Sequence, residues 1–209
     1  MELWEAIKGR RSVRRLVGEV GVEEVAAALE AALWAPSAHN AQPWRFIILA
    51  SRGARRRLAE AMAKAWVEDL VEEGVEEGAA LEAASRSISF ITDSPMAVLV
   101  AASMREAKRH RSRRRSLAER LMMVQSVAAA VQNFLLALHA QGLASCWLCA
   151  PLFCRGVVKE ALGLPRHVEP QALIVVGRPG EAPPPPPRRA LDEVAFVDEW
   201  GRPLARLKS

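Results

Sequence analysis

The chain of 209 residues carries 29 basic against 24 acidic side chains, and 51% of it is apolar. That balance suits one globular domain with no need of disulfide staples, and it excludes disorder, a collagen-like helix and a coiled-coil rod. The longest near-apolar run, 127–138, is interrupted by Gln132 and Asn133. It falls short of the about 20 residues that a bilayer span requires, so no membrane partner is expected. The first residues lack the basic start and apolar stretch of a signal peptide, and the closely spaced Cys146, Cys149 and Cys154 make no secreted framework. A cytoplasmic setting is expected. Arginine supplies 24 of the basic residues and lysine five, which favours planar, bidentate recognition of phosphate or carboxylate.

In chain order, residues 2–9 suit a short helix, followed by a basic stretch over 10–15. Val22, Val25, Ala26, Leu29 and Leu33 recur at helical spacing and predict a helix that stops before Pro36. Two prolines and several short polar residues make 36–43 a loop, and 44–50 reads as a buried strand. Residues 53–89 read as two helices broken near Gly74, and Pro95 opens a second buried strand over 96–102. The segment 105–115, with seven basic residues and His110, is expected to be the least structured interior part. A long helix over 117–141 follows, closed by Gly142. Short strands at 145–150 and 171–177 flank a helix at 157–162. Five prolines over 183–187 make the segment from Gly180 a stiff arm. Long helices among four short strands predict an α+β domain spanning 1–209.

No nucleophile–base set and no glycine-rich phosphate loop is visible. The histidines at 39, 110, 139 and 167 are scattered; His39 could touch a ligand from its loop, although solvation is the plainer reading. Cys146 and Cys149 have the spacing of a redox dithiol or half a zinc site. Their strand context and the lack of a second pair favour buried, unreactive thiols and no metal. The basic run at 109–115 suits a solvated loop, an anionic substrate or, last, nucleic acid; no stacking aromatic interleaves it, so no nucleic-acid partner is expected. Arg10, Arg11 and Arg14 surround Ser12 in a cluster that suits a phosphate.

Arg10, Arg11, Ser12 and Arg14, the helix after them, and Ala35-Pro-Ser-Ala-His-Asn-Ala-Gln-Pro-Trp44 together resemble the nitroreductase family of FMN-dependent oxidoreductases. Gln132-Asn133, Gly142-Leu-Ala-Ser-Cys-Trp147, Gly177-Arg-Pro179 and Pro187-Arg-Arg189 continue the likeness in order. Met62-Ala-Lys-Ala-Trp66 and Leu152-Phe153 are similar to the flavin domain of the bacterial enzyme that completes coenzyme F420. The resemblance implies an antiparallel or mixed sheet surrounded by helices, in an intertwined homodimer with two FMN molecules at its interface. It implies that Arg10, Arg11, Ser12 and Arg14 hold the FMN phosphate and ribityl chain. Pro36, Ser37, Ala38, Asn40 and Gln42 would reach the flavin ring from the neighbouring subunit. Trp147, Leu148, Cys149 and Ala150 would lie along the ring near N5. Arg188 and Arg189 match a late basic pair, and Arg189 fits best. Ala38 departs from a frequent serine, and Ala144 from a usual glycine. The implied activity is ping-pong transfer of electrons from NADH or NADPH through flavin N5 to a small nitroaromatic or quinone acceptor. A non-catalytic flavin-, deazaflavin- or polyanion-binding module is the alternative. The dimer would bury more than about 1,600 Å², with 127–138 as its contact surface, and the basic 105–116 segment would be mobile until an anionic substrate orders it.

Overall fold

The computed structural model describes residues 1–202 and 204. The chain runs α1 (Leu3–Gly9), β1 (Leu16–Val17), α2 (Val22–Leu33), β2 (Trp44–Leu49), α3 (Arg52–Glu72), α4 (Glu77–Asp93), β3 (Met96–Ser103), α5 (Arg113–Ala140), β4 (Ala144–Leu148), α6 (Arg155–Leu162), β5 (Val168–Pro179) and α7 (Leu191–Val194). All ladders are antiparallel in the order β2–β3–β5, and β5 pairs along its other edge with β4 and then β1. A parallel bridge between Ser12 and Ser145 adds the one mixed feature and ties the arginine-rich segment to β4.

All eight residues of β3 are buried because both faces of the sheet are covered. Val98, Val100, Ile174 and Val176 point to α2 and α5, whose Val25, Val127, Val131 and Phe134 complete that layer. Leu99, Leu173 and Val175 point the other way, against Leu58, Met62 and Ile91 of α3 and α4 and Val158 of α6. The alternation follows from the two-residue period of a strand, and continuous apolar strands are the expected sequence of a sheet buried on both sides. The α+β expectation holds.

Several boundaries differ from the sequence reading. α5 begins at Arg113, because Arg113, Arg114 and Arg115 are good helix formers and form its first turn. The segment before it has no regular structure, as expected, but it carries side-chain contacts. Glu119, 5% exposed, accepts from Lys108 N at 3.4 Å and pairs with His110 Nε2 at 3.1 Å, while Arg45 pairs with Glu106 at 2.5 Å. β5 extends to both sides of the expected strand, past an irregularity opposite Val100 and Ala101. Gly177 is required there: a Cβ would stand 2.8 Å from Leu16 Cβ and 3.0 Å from Pro95 Cδ. β4 ends at Leu148, so Cys149 is exposed in the turn that follows, and only Cys146 meets the expectation of burial.

The expected contact surface also shifts. Val127, Val131, Phe134, Leu135 and Leu138 lie in the chain's own core. This explains why α5, alone among the described helices in being long and apolar enough to cross a bilayer, is a core helix. The apolar side chains of α5 left uncovered are Leu117 and Leu121, with Leu33 and Trp34 at the end of α2 also bare; Trp34 is 88% exposed. The arm after Pro179 has no regular structure until α7. It begins by docking on the segment before β1, where Gly180 N donates to Arg15 O at 2.8 Å. Residues 203 and 205–209 of the expected arm lie outside the described residues.

Candidate functional site

The helix α1 stops at Gly9, and the next residues cross in front of the C-terminal end of α5. Arg10 and Arg11, both half-buried, therefore line a cavity of about 340 Å³ with His139, Ala144, Ser145 and Glu181. Burial lowers the pKa of Arg10, and the charges of Arg188 and then Arg11 lower it further. Like charges are thus gathered at a cavity that one acid also lines. Glu181, the acid lining this cavity, accepts instead from Arg14 N at 3.0 Å and Arg15 N at 3.1 Å, bonds that lower its pKa. Arg11 Nη1 donates to Lys8 O at 2.5 Å and Arg10 O at 2.9 Å, which leaves its buried Nε without a partner. A buried orphan donor in a cationic cavity is a standing demand for an acceptor anion.

Ser12 is exposed and opens the bridge to β4, where Val13 N donates to Ser145 O at 3.0 Å. The side chain of Arg14 is exposed. Both residues of the late pair are exposed, and Arg188 is the one whose charge reaches Arg10.

The 36–43 loop is built at a different place. Ser126 Oγ, on the middle of α5, accepts from Ala38 N at 3.1 Å. Ser37 Oγ accepts from Gln42 N at 3.1 Å, and Gln42 Nε2 donates to Asn40 Oδ1 at 3.2 Å. His39, Asn40 and Gln42 adopt φ of 57°, 53° and 45°, a left-handed conformation costly for residues with a side chain. Pro36, Asn40 and Gln42 are exposed, and Ser37 and Ala38 half-buried. Ser126 and His139 are separated by roughly 20 Å along α5 at 1.5 Å of rise per residue. The structure therefore holds Arg10 and Arg11 together with Arg188, but does not bring the 36–43 loop to them within one chain.

Beyond the Ser12 bridge the outer edge of β4 pairs with no described strand. Trp147 is half-buried with its indole N–H buried and unpartnered, Leu148 is half-buried, and Cys149 and Ala150 are exposed. Ala150 adjoins a second cavity of about 360 Å³, walled by Met62, Trp66, Leu70, Phe153 and Cys154. Sequence reading had quoted Met62, Trp66 and Phe153 as marks of likeness without seeing that they meet. It missed His139, Ser126 and Glu119 as parts of the site. Ser126 and His139 read as ordinary positions of a core helix, and Glu119 as one of many surface acids. No group of metal-ligating side chains occurs among the described residues.

The family model described as the nitroreductase family matches residues 7–178. The chain is 32% identical to the NADH dehydrogenase of Thermus thermophilus, over 90% of this chain and 91% of that protein. It is 29% identical, over 88% of this chain and 80% of that protein, to an assigned NADH dehydrogenase/NAD(P)H nitroreductase of Methanothermobacter thermautotrophicus. A protein of Desulfovibrio desulfuricans, assigned as a nitroreductase and solved in complex with FMN, superposes with a TM-score of 0.71 at 27% identity, over 94% of this chain and 96% of that one. A BluB-like flavoprotein of Clostridium difficile shares the fold, with a TM-score of 0.78 at 24% identity over 95% of this chain and 100% of that one. By its matched length and its relatives, the chain belongs to the nitroreductase family of oxidoreductases.

Proposed function

We propose that two copies of the chain form a dimer with two FMN sites, and that it works as an NAD(P)H-dependent oxidoreductase on small organic acceptors. The observation that carries this reading is the cavity lined by Arg10 and Arg11, with Arg188 close enough to act on Arg10 and the buried Arg11 Nε left without an acceptor. A terminal phosphate supplies both the missing acceptor and negative charge for the arginines. FMN, when bound, supplies the redox chemistry, passing electrons from NAD(P)H to the acceptor.

The protein's own residues would do the rest. Arg10, Arg11, Ser12 and Arg14 would hold the phosphate and ribityl end, with Arg188 and Arg189 closing from the arm. Charge-assisted bonds in a partly dry cavity make that grip strong and oriented. Trp147, Leu148, Cys149 and Ala150 would flank the ring along the unpaired edge of β4, whose free backbone groups suit a heteroaromatic edge. Pro36, Ser37, Ala38, Asn40 and Gln42 would complete the ring site of the second copy, because their own chain's phosphate cluster is too far along α5. The exposed side chains of Leu33 and Trp34 at the end of α2, and of Leu117 and Leu121 on α5, suit the dimer contact this demands. The largely apolar cavity beside Ala150, which Asp69 and Glu73 also line, would receive the organic part of the acceptor. The exposed cations of 105–115, next to the loop through Lys108 and His39 at 3.3 Å, favour an anionic second substrate.

The test is direct. Purified protein should carry or take up about one FMN per chain and oxidise NADH or NADPH with a quinone or nitro acceptor. Colourless protein that does not bind added FMN contradicts the reading. Flavin binding without turnover favours the non-catalytic binding module.

A further inference from the structure

The cavity that holds Arg10 and Arg11 has one more wall, and it is titratable. His139 stands in the last turn of α5 and lines the same space as both arginines, Ser145 and Glu181. The bare α-carbon of Gly9 lets it close in: a Cβ there would stand 2.7 Å from His139 Nε2. We propose that His139 is a further phosphate-binding residue of this site, neutral without the anion and protonated from solvent when a phosphate dianion enters. The inference rests on the FMN reading above and goes beyond it by making cofactor affinity proton-linked.

The electrostatics come from every element around the ring. The segment after α1 contributes Arg10 and Arg11, Met1 lines the same cavity, and the charge of Arg188 reaches Arg10. Burial, then Arg10, then Arg11 hold the imidazole below its ordinary 6.5. Glu181, from the arm, faces the same cavity but is engaged by two backbone N–H groups of 14–15. The C-terminal carbonyls of α5 favour the cationic ring, and with the Glu181 carboxylate they offset the arginines in part. A phosphate dianion reverses the balance: it neutralises Arg10 and Arg11 and attracts the imidazolium directly. The ring then gains a donor that the arginines alone do not supply.

Histidine ring resonances followed by NMR against pH test this on the wild-type protein, stripped of flavin and then loaded with FMN or riboflavin. His139 should titrate below 6.5 without flavin, and roughly one pH unit or more higher with FMN, which corresponds to about a tenfold tighter complex. Riboflavin, which lacks the phosphate, should leave it unmoved. In parallel, the Kd ratio of His139→Gln to wild type for FMN should rise by about threefold or more as pH falls from roughly 8 to 6, and approach tenfold only below the flavin-free titration. Because both proteins see the same ionisation of the FMN phosphate, near 6 for such monoesters, the ratio isolates the histidine. FMN that binds without moving the His139 titration, or a ratio flat with pH, overturns the inference and leaves the FMN site intact. Failure of both flavins to bind instead removes the reading on which it rests.

Discussion

At the scale of single residues, the site is defined by groups whose needs the chain does not meet. Arg11 Nε has no acceptor, and Arg10 lies close to two other arginines. Changing Arg10 to Ala should weaken FMN by about 1.5–3 kcal/mol, the usual worth of a hydrogen bond to a charged group. That is roughly 10- to 100-fold in Kd, read by quenching of flavin fluorescence, with riboflavin nearly unaffected. The cysteines separate in the same way. Burial raises the pKa of Cys146 and Cys154, whereas Cys149 is exposed past the end of β4. Alkylation followed by peptide mass spectrometry should find Cys149 modified first, and bound FMN should slow it. Equal protection of all three would show that the turn after β4 is covered by something other than flavin. His139 shows the limit of sequence at this scale. One histidine in an apolar helix looks like any other until Gly9 and Arg10 are placed beside it.

Among the elements, α5 organises both halves of the site, with Ser126 anchoring the 36–43 loop and His139 meeting the arginines. Glu119 extends that role to the basic segment, since it meets His110 at 3.1 Å and His39 at 3.7 Å. The His110 hydrogen bond, against the cost of burial, holds its carboxylate below the ordinary 4.5. A lowered carboxylate stabilises the fold fully above its unfolded value, and the contribution is lost as pH falls through the folded one. Backbone amides of 105–112 should therefore be protected from hydrogen exchange near neutrality and lose protection as the pH falls below about 4.5. Glu119→Gln should expose them already near neutral pH; unchanged exchange would mean that Glu119 does not hold the segment. The first turn of α5 carries Arg113, Arg114 and Arg115. Replacing all three with Ala should raise KM for an anionic second substrate and flatten its dependence on ionic strength, while FMN stays bound.

Helices and strands with a strong apolar period, such as α2, β2 and β3, are legible in sequence because burial on one or both faces writes the pattern. The start of α5 is not, since three arginines carry no period. Nor is the order of 105–112, which depends on a buried acid seven residues beyond it. The arginine cluster and the 36–43 loop are legible as motifs. Their separation along α5 is visible only in the folded chain.

For the whole molecule, that separation makes assembly the question. The core-facing residues of the 127–138 stretch turn inward, and the exposed apolar side chains nearest the 36–43 loop in sequence and on α5 are Leu33, Trp34, Leu117 and Leu121 instead. Placing Arg at Leu121 should convert a dimer into a 22.9 kDa monomer on sizing with light scattering, and FMN should be lost with it. The account's central claim is that each flavin site takes its phosphate grip from one copy and its 36–43 loop from the other. The most direct measurement is the FMN content of a doubly tagged mixed dimer. One chain carries Arg10→Ala and Arg11→Ala, and its partner carries Ser37→Ala, Asn40→Ala and Gln42→Ala. If sites are shared, one of the two sites joins an intact grip to an intact loop, and the mixed dimer binds one FMN with wild-type affinity. If each chain builds its own site, both are damaged, and a mixed dimer with no wild-type site contradicts the account.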